Sequence, residues 1–286
     1  MEIFINPDRS IWKDLCVRPS SDNPVVRERV QAILERVRTD GDEALRALSR
    51  EIDGIEMDAL EVGADEFAQA ESLVSDAVKA AIAAASTNIR RFHEAQLPQP
   101  VEVETAPGVR CIQKAMPIRR VGLYIPGGTA PLFSTVLMLA IPARVAACPE
   151  VVLCTPVSRQ TGRVSPEVLY AARMCGVDRV FKVGGAQAIA AMAYGTATVP
   201  AVDKIFGPGN QYVTTAKQML GGTKVSIDMP AGPSEVMVLA DETAVPAYVA
   251  ADLLSQAEHG VDSQVMLVCS DRAIADAVMD EVRSQC

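Results

Sequence analysis

Residues 203–220 read DKIFGPGNQYVTTAKQML, and this stretch decides the fold. A short apolar strand pattern runs directly into a glycine-rich turn, and the turn opens a helical pattern. The same order recurs in RVFKVGGAQAIAAMAYG, residues 179–195, and in VGLYIPGGTAPLFSTVLMLAIPA, residues 121–143. Successive strands begin about 20 to 30 residues apart, as βα units of a parallel sheet require. The sequence therefore predicts an α/β fold of incomplete Rossmann-like, doubly wound parallel-sheet domains.

The remaining elements extend this pattern in both directions. Further strands are predicted at residues 151–156, 224–228, 235–240 and 264–268, and helices at residues 166–175, 246–259 and onward to Cys286. The N-terminal region is mostly helical: Asn23-Pro24 opens one helix, a short one ends near Asp53, and residues 65–96 form a long one. Two extended runs around Pro107-Gly108 predict a hairpin over residues 101–118.

Composition and charge argue against several classes of protein. The 286 residues carry a net charge of −9 and only 4% aromatic side chains, whereas a nucleic-acid binder needs a basic surface or stacking platforms. Seven cysteines without a CxxC pattern indicate a reducing compartment. Neither a signal peptide nor an apolar run of about 20 residues is found, so we expect a cytoplasmic protein with no membrane partner.

Three of the predicted βα turns are rich in glycine. They are Pro126-Gly127-Gly128, Gly184-Gly185 and Gly207-Pro208-Gly209-Asn210. In a parallel sheet such turns share the carboxyl edge, where ligands bind at the switch point. Glycine lets the backbone approach a ligand and the following helix offers N–H groups to phosphate, so one interpretation is a phosphate-bearing cofactor. The other is that glycine only makes tight turns, because neither GxGxxG nor a Walker A pattern occurs.

Three side chains near these turns are candidates for binding, each with a structural alternative. Asn210 either caps its helix or reaches a ligand, and capping is the better interpretation of the residue type. Gln187 lies in the first turn after Gly185, where its amide faces either the crevice or solvent. Tyr124 ends a buried strand and is either a core residue or a flat surface for a ring.

Gln256 and His259, in SQAEHG, lie three residues apart and therefore share one face of a helix. Imidazole is a common metal ligand and the amide oxygen of glutamine is a competent donor, which makes a metal site one interpretation. The alternative is a surface histidine near a helix end, since two residues do not complete a four-ligand zinc site. The other histidine, His93, is interpreted as structural or exposed. Cys154 is either a thiolate nucleophile or, more simply, a small buried hydrophobic residue.

Five long motifs, in order along the chain, resemble histidinol dehydrogenase. They are VGLYIPGGTAPLFSTVLMLAIPA (121–143), KVGGAQAIAAMAYGT (182–196), DKIFGPGNQYVTTAK (203–217), DMPAGPSEVMVLAD (228–241) and DLLSQAEHG (252–260), and DGDEALRALSREIDG (40–54) fits as well. The resemblance implies an NAD-dependent, zinc-containing oxidoreductase that converts L-histidinol to L-histidine through the aldehyde in two hydride transfers. It also implies an intertwined homodimer whose subunits share active sites.

The resemblance assigns roles to single residues of this chain. The implied NAD contacts are Tyr124 in LYIPGG, Gln187 in GGAQ and Asn210 in GPGN. Ser234 in GPSE is expected to contact the substrate. Gln256 and His259 are expected to bind Zn2+ and to lie beside the substrate, where the metal would polarise the reacting oxygen.

The resemblance also implies a division of the chain and a missing part. The expected domains are 1–117, a helical segment and hairpin belonging to a first α/β domain; 118–233, a Rossmann-like NAD-binding domain; and 234–286, a return to the first domain that is cut short. In the family, a Glu-His pair for proton transfer, an Asp zinc ligand and a last His ligand follow later. We therefore assign no catalytic residue within this chain and expect the 286 residues alone to be inactive.

Two alternative functions stay open at this point. Relatives with the same motifs oxidise other small alcohols such as sulfopropanediol, and they share the NAD and zinc positions. The chain could also be a non-catalytic module that binds nucleotide without turnover, because the crevice does not need the missing catalytic pair.

Overall fold

The computed structural model describes residues 2–17, 23–127, 131–230, 235–258 and 263–286. Its helices are α1 (Arg9–Leu15), α2 (Pro24–Asp40), α3 (Asp42–Leu48), α4 (Ala64–Leu73), α5 (Asp76–Glu94), α6 (Phe133–Val145), α7 (Pro166–Met174), α8 (Gly185–Tyr194), α9 (Gln211–Leu220), α10 (Pro246–Ala257) and α11 (Arg272–Gln285). Its strands are β1 (Val101–Ala106), β2 (Val109–Gln113), β3 (Arg120–Tyr124), β4 (Glu150–Cys154), β5 (Arg179–Phe181), β6 (Lys204–Phe206), β7 (Ser226–Ile227), β8 (Glu235–Ala240) and β9 (Gln264–Cys269). A π-helical turn, Ser49–Asp53, follows α3.

Five parallel strands form the central sheet in the order β5-β4-β3-β6-β7. The chain runs outward from β3 to β5 on one side, returns to the other side of β3 at β6, and continues to β7. The reversal between β3 and β6 is the switch point of a doubly wound sheet. The predicted α/β fold with a Rossmann-like sheet is thus confirmed.

Helices cover both faces of this sheet, and alternate side chains of the strands point to different cores. Leu123 and Leu153 pack with α6 and α7 on one face. Tyr124 and Cys154, the next residues along the same strands, pack with α8 and α9 on the other. This period of two on strands buried on both sides is what a parallel sheet between helical layers requires.

The N-terminal helices form outer layers over this sandwich. Val26, Val30, Leu34 and Val37 recur at helical spacing on α2 and are buried against α8 and α9. On the opposite face, α4 contacts α7 and α5 contacts α6. Pro24 begins α2 as predicted.

Two details differ from the sequence-based expectation. The stretch at residues 65–96 is not one helix: α4 ends at Leu73, Val74 is extended, and the hydroxyl of Ser75 accepts a hydrogen bond from the N–H of Val78 to begin α5. The helix α1 is an addition to the predicted elements; its N-terminus is capped by the carboxylate of Asp8, which accepts from the N–H of Ser10 at 2.9 Å.

The chain divides into two compact units, Pro24–Pro230 and Met1–Asn23 with Ala231–Cys286. This division differs from the expected one, because the helices of residues 24–94 bury their apolar faces on the central sheet and so belong with it. The break near residue 230 lies close to the expected boundary at 233. The hairpin β1–β2 is formed as predicted, with Val101 opposite Gln113, and both of its strands are exposed.

The smaller unit has a parallel strand pair of its own, β8 and β9, with Glu235 opposite Gln264. Helices α10 and α11 cover this pair and bury Val249, Leu253 and Val278 with it. Within the part of the chain that the structure describes, no helix has the length and apolarity of a membrane span.

An ion pair connects the segment before α4 to β5. The guanidinium of Arg179 donates to both carboxylate oxygens of Glu61, at 2.8 and 2.6 Å. These hydrogen bonds lower the pKa of Glu61 below its ordinary value of 4.5, against burial, which raises it. Both side chains are more than a third exposed, at 36% and 37%, so solvent screens the pair and limits its contribution to stability.

We expect Glu61→Gln to lower the free energy of unfolding by about 0.5 to 1 kcal/mol at neutral pH. A lowered carboxyl pKa stabilises the folded state above the unfolded pKa and ceases to do so as pH falls through the folded value. The difference from wild type should therefore be constant above pH 4.5 and shrink below it. Urea unfolding across this range measures it, with Glu56→Gln, at an 80% exposed side chain, as the control. A difference independent of pH would contradict the assignment.

Candidate functional site

The glycine turns meet at the carboxyl edge of the sheet around Pro156, which follows β4. A Cβ placed on Gly127 would lie 2.7 Å from the ring of Pro156, and one placed on Gly184 would lie 2.6 Å from it. The turns after β3 and β5 therefore approach β4 more closely than any residue with a side chain permits. The predicted convergence of these turns is confirmed, and Gly128 lies outside the described residues.

The turn after β6 is pressed against the end of β3, directly at the switch point. Gly207 has φ +138°, and a Cβ there would lie 2.1 Å from the carbonyl oxygen of Tyr124. A backbone atom cannot move aside as a flexible side chain can. Only glycine therefore lets β6 and β3 carry their turns this close together.

An ion pair between buried Lys217 and partly exposed Asp228 holds the peptide groups on both sides of Gly207. The ammonium of Lys217 donates to the carbonyl of Gly207 at 2.8 Å, and the N–H of Gly207 donates to the carboxylate of Asp228 at 2.9 Å. Lys217 and Asp228 also pair with each other, and Lys217 is only 4% exposed. Sequence reasoning missed this pair, although Lys217 follows Val213 by one helical turn and so had to lie on the buried face of α9.

Tyr124 is a core residue rather than an exposed flat surface. Its side chain is 3% exposed, and its hydroxyl oxygen accepts a hydrogen bond at 3.0 Å from the N–H of Gly185, the first residue of α8. Burial raises the pKa of Tyr124 to about 12. The phenol therefore stays protonated and connects the end of β3 to the start of α8.

Gln187 faces the crevice and not the solvent. Its side chain is 4% exposed and lies over Gly185, where an added Cβ would come within 2.7 Å of its Oε1. It lines a pocket together with Pro156 and Gly184. Of the two orientations that the sequence left open, the structure shows the inward one.

Asn210 has the capping role that its residue type favours. Its Oδ1 accepts from the N–H groups of Tyr212 and Val213 at 3.1 and 3.2 Å, at the start of α9. The residue is exposed. Tyr124, Gln187 and Asn210 thus flank the same edge of the sheet, on β3, α8 and α9.

The expected metal and substrate residues are described only in part. Gln256 lies in the last turn of α10, partly buried, and its Nε2 donates to the hydroxyl of Ser263 at 3.3 Å. His259 and Ser234 lie outside the described residues. Among residues 2–17, 23–127, 131–230, 235–258 and 263–286, no three His, Cys, Asp or Glu side chains are grouped as metal ligands. The described residues therefore do not assemble a zinc site by themselves.

Cys154 is a buried hydrophobic residue, and the nucleophile interpretation is wrong. Its side chain is fully buried in the core, and burial raises its pKa far above that of a reactive thiol. His93 is partly exposed in the last turn of α5, edge-on to Phe92, as expected for a structural histidine.

Over nearly its whole length, the chain is similar to the proteins of one family. A family model described as histidinol dehydrogenase matches residues 16–286. The histidinol dehydrogenase of Bacteroides thetaiotaomicron is 53% identical over 285 residues, covering all of this chain and 66% of its own length. That of Escherichia coli O6:H1 is 55% identical over 278 residues, covering 96% of this chain and 62% of its own. The chain thus spans slightly less than two thirds of these curated relatives.

Solved structures agree with the sequence comparison. The crystal structure of histidinol dehydrogenase from Elizabethkingia anophelis superposes with a TM-score of 0.88 at 48% identity, covering 99% of this chain and 65% of that one. A succinate-semialdehyde dehydrogenase from Burkholderia pseudomallei matches with a TM-score of 0.50 at 15% identity, covering 96% and 53%. This second likeness concerns the fold alone.

We expect Gly207→Ala to cost at least about 3 kcal/mol of folding free energy, because the new methyl group meets a backbone carbonyl as well as a strained φ. Gly162→Ala is the matched control: its φ is +65° and nothing lies within 4 Å of an added Cβ. That control should cost only about 1 to 2 kcal/mol, the penalty of the left-handed conformation. Denaturant unfolding of both variants measures the difference, and equal costs would show that the approach to Tyr124 is not tight.

Proposed function

Because the chain belongs to the histidinol dehydrogenase family, we propose that its protein oxidises L-histidinol to L-histidine through the aldehyde, with NAD as the hydride acceptor. The observation that carries the proposal is identity of 53% to 55% with histidinol dehydrogenases over nearly the entire chain. Both of these curated relatives carry that name, so oxidation of a different small alcohol has no support from them. The protein is proposed to work in the cytoplasm.

We propose that NAD binds at the carboxyl edge of the central sheet, beside Tyr124, Gln187 and Asn210. The geometry there fits a dinucleotide: glycine turns leave the backbone open to close approach, and the N-terminal ends of α8 and α9, which carry partial positive charge, lie at this edge. Gln187 brings a buried amide, and Tyr124 fixes the start of α8 through its hydrogen bond with Gly185. When bound, NAD would accept the hydride, while these residues orient it and exclude water.

Zinc and substrate are proposed to bind at Gln256 and His259, with Ser234 at the substrate. The support is the resemblance of SQAEHG and GPSE to the family, together with the position of Gln256 at the end of α10. The described residues supply one of these ligands and no three-ligand group, so they do not complete the four-ligand shell that zinc requires. The roles proposed for Tyr124, Gln187 and Asn210 at the nucleotide therefore do not depend on the metal.

The complete enzyme is proposed to be a homodimer, and the 286 residues alone are proposed to give no turnover. A proton must leave the alcohol, and a base must later activate water for the second oxidation. Within the described part of the chain, neither the NAD-side residues nor Gln256 supplies such a base. The chain also covers only 66% of the Bacteroides thetaiotaomicron enzyme.

Gln187→Ala should weaken NAD binding to the 286-residue chain about tenfold, the loss expected for one buried hydrogen-bonding group. Gln218→Ala is the matched control, since Gln218 is an exposed glutamine on α9 and should leave affinity unchanged. Isothermal titration measures affinity, and a thermal melt checks that each variant folds. Equal affinity for Gln187→Ala and wild type would remove Gln187 from the site.

Turnover is tested on the native product of the gene that encodes this chain, and on the 286 residues in parallel. The native product should form two NADH per L-histidinol consumed, and the 286 residues should form none. Sulfopropanediol serves as the competing substrate. Preference of the native product for sulfopropanediol would overturn the substrate, and NADH formation by the 286 residues would overturn the proposed inactivity.

A further inference from the structure

A pocket in the larger unit lies beside Pro156, on the side of the sheet away from β6. Its lining includes Ser49, Asp53, Pro156, Lys182 and Gln187. Pro156 follows β4, Lys182 follows β5, and Gln187 is one of the residues proposed to bind NAD. The pocket is therefore continuous with the proposed nucleotide crevice, but the proposed NAD contacts do not account for the carboxylate of Asp53.

Asp53 is held in place by its own turn and by a neighbouring loop. It ends the π-helical turn Ser49–Asp53, and Gly54 follows with φ +72°. The hydroxyl of Ser49 donates to the carbonyl of Ile55 at 3.0 Å, which closes the turn. Arg159, from the loop after β4, donates to the carbonyl of Ile52 at 3.3 Å. The carboxylate thus projects from a fixed backbone and not from a free loop.

The position of this carboxylate matches a requirement of dinucleotide binding. In doubly wound folds the pyrophosphate lies at the turn after the first strand, and an acidic residue near the end of the second strand accepts from the ribose hydroxyls. Here β3 is the first strand and β4 the second. However, β4 ends in Cys154-Thr155-Pro156 and supplies no carboxylate. Asp53 brings one to the same place from a different element.

Asp53 has a charged neighbour, Arg159, but within the described ranges no hydrogen-bond partner contributes to its pKa. Burial raises that pKa, and the charge of Arg159 opposes the shift. By contrast, Lys182 in the same pocket is paired with Glu66 at 2.8 Å. The charge of Asp53 also makes a small contribution to the raised pKa of Tyr124, so Asp53 lies close enough to the crevice to act on that residue. The side chain of Asp53 is only partly buried and its oxygens are still open to solvent, so the carboxylate is available to a ligand.

We propose that Asp53 accepts hydrogen bonds from the adenosine ribose of the dinucleotide and thereby selects NAD over NADP. The 2′-phosphate of NADP would place negative charge against this carboxylate, whereas the free hydroxyls of NAD are donors to it. The inference rests on the proposed nucleotide site and adds the residue that determines which nucleotide is taken.

The test compares wild type with Asp53→Asn and Asp53→Ala, using NADH and NADPH as fluorescent probes of affinity. Asp53→Asn should weaken NADH binding about tenfold and leave NADPH binding equal or improved, because the shape is kept and the charge is lost. Asp53→Ala should weaken NADH binding further. Asp58→Asn is the matched control: it removes the same charge at an exposed aspartate nearby and should change neither affinity. The melting temperature of Asp53→Asn should equal or exceed that of wild type.

The outcomes separate this inference from the proposal on which it rests. If wild type binds neither nucleotide, the proposed NAD site is wrong and the inference falls with it. If wild type binds NADH and Asp53→Asn binds both probes as wild type does, only the role of Asp53 is wrong. A parallel loss of both affinities with a lower melting temperature would show that Asp53 is structural, which also overturns the inference.

Discussion

The ion pair between Lys217 and Asp228 holds the peptide groups on both sides of Gly207, and the arrangement of the carboxyl edge of the sheet depends on it. The ammonium of Lys217 donates to the carbonyl of Gly207, and the N–H of Gly207 donates to Asp228. These bonds fix α9, β6 and the segment after β7 relative to one another. Burying two charges carries a desolvation cost, which the mutual attraction and the two backbone hydrogen bonds offset. Loss of Asp228 would leave the ammonium of Lys217 buried and alone, which typically costs about 3 to 5 kcal/mol. The turn after β6 packs directly against the end of β3 at Tyr124, so its position defines the switch point.

Much of the architecture could be predicted because it is written in local patterns. The alternation of short apolar strands, glycine turns and helices predicts a doubly wound parallel sheet, and a parallel sheet brings its βα turns to one edge. The break at Val74-Ser75 and the placement of residues 24–94 on the sheet could not be predicted in this way. Both depend on contacts between segments that are distant in the chain, where apolar spacing indicates that a face is buried but not against what.

In the candidate site, too, local interactions could be predicted from the sequence and contacts between distant segments could not. Residue type alone left Tyr124, Gln187 and Cys154 each with two interpretations, and only the three-dimensional burial decides between them. Asn210 was resolved correctly because capping is a local interaction with the next two or three N–H groups. Lys217, Asp228 and Asp53 lie within the quoted motifs, but nothing in the residue pattern assigns any of them a role. Their importance comes from partners, or the lack of partners, that the fold brings near. The metal ligands remain a matter of family resemblance.

The glycine contacts around Pro156 and Tyr124 also shape how this scaffold can change over evolutionary time. At Gly127, Gly184 and Gly207 any side chain would enter space held by a proline ring or a backbone carbonyl. Substitution of these glycines is therefore disfavoured, whatever the protein binds. Adaptive variation must instead fall on the few side chains that project into the crevice, while its walls stay as they are. A lineage built on this frame is therefore free to change the side chains that contact a ligand, but has little freedom to move the crevice itself.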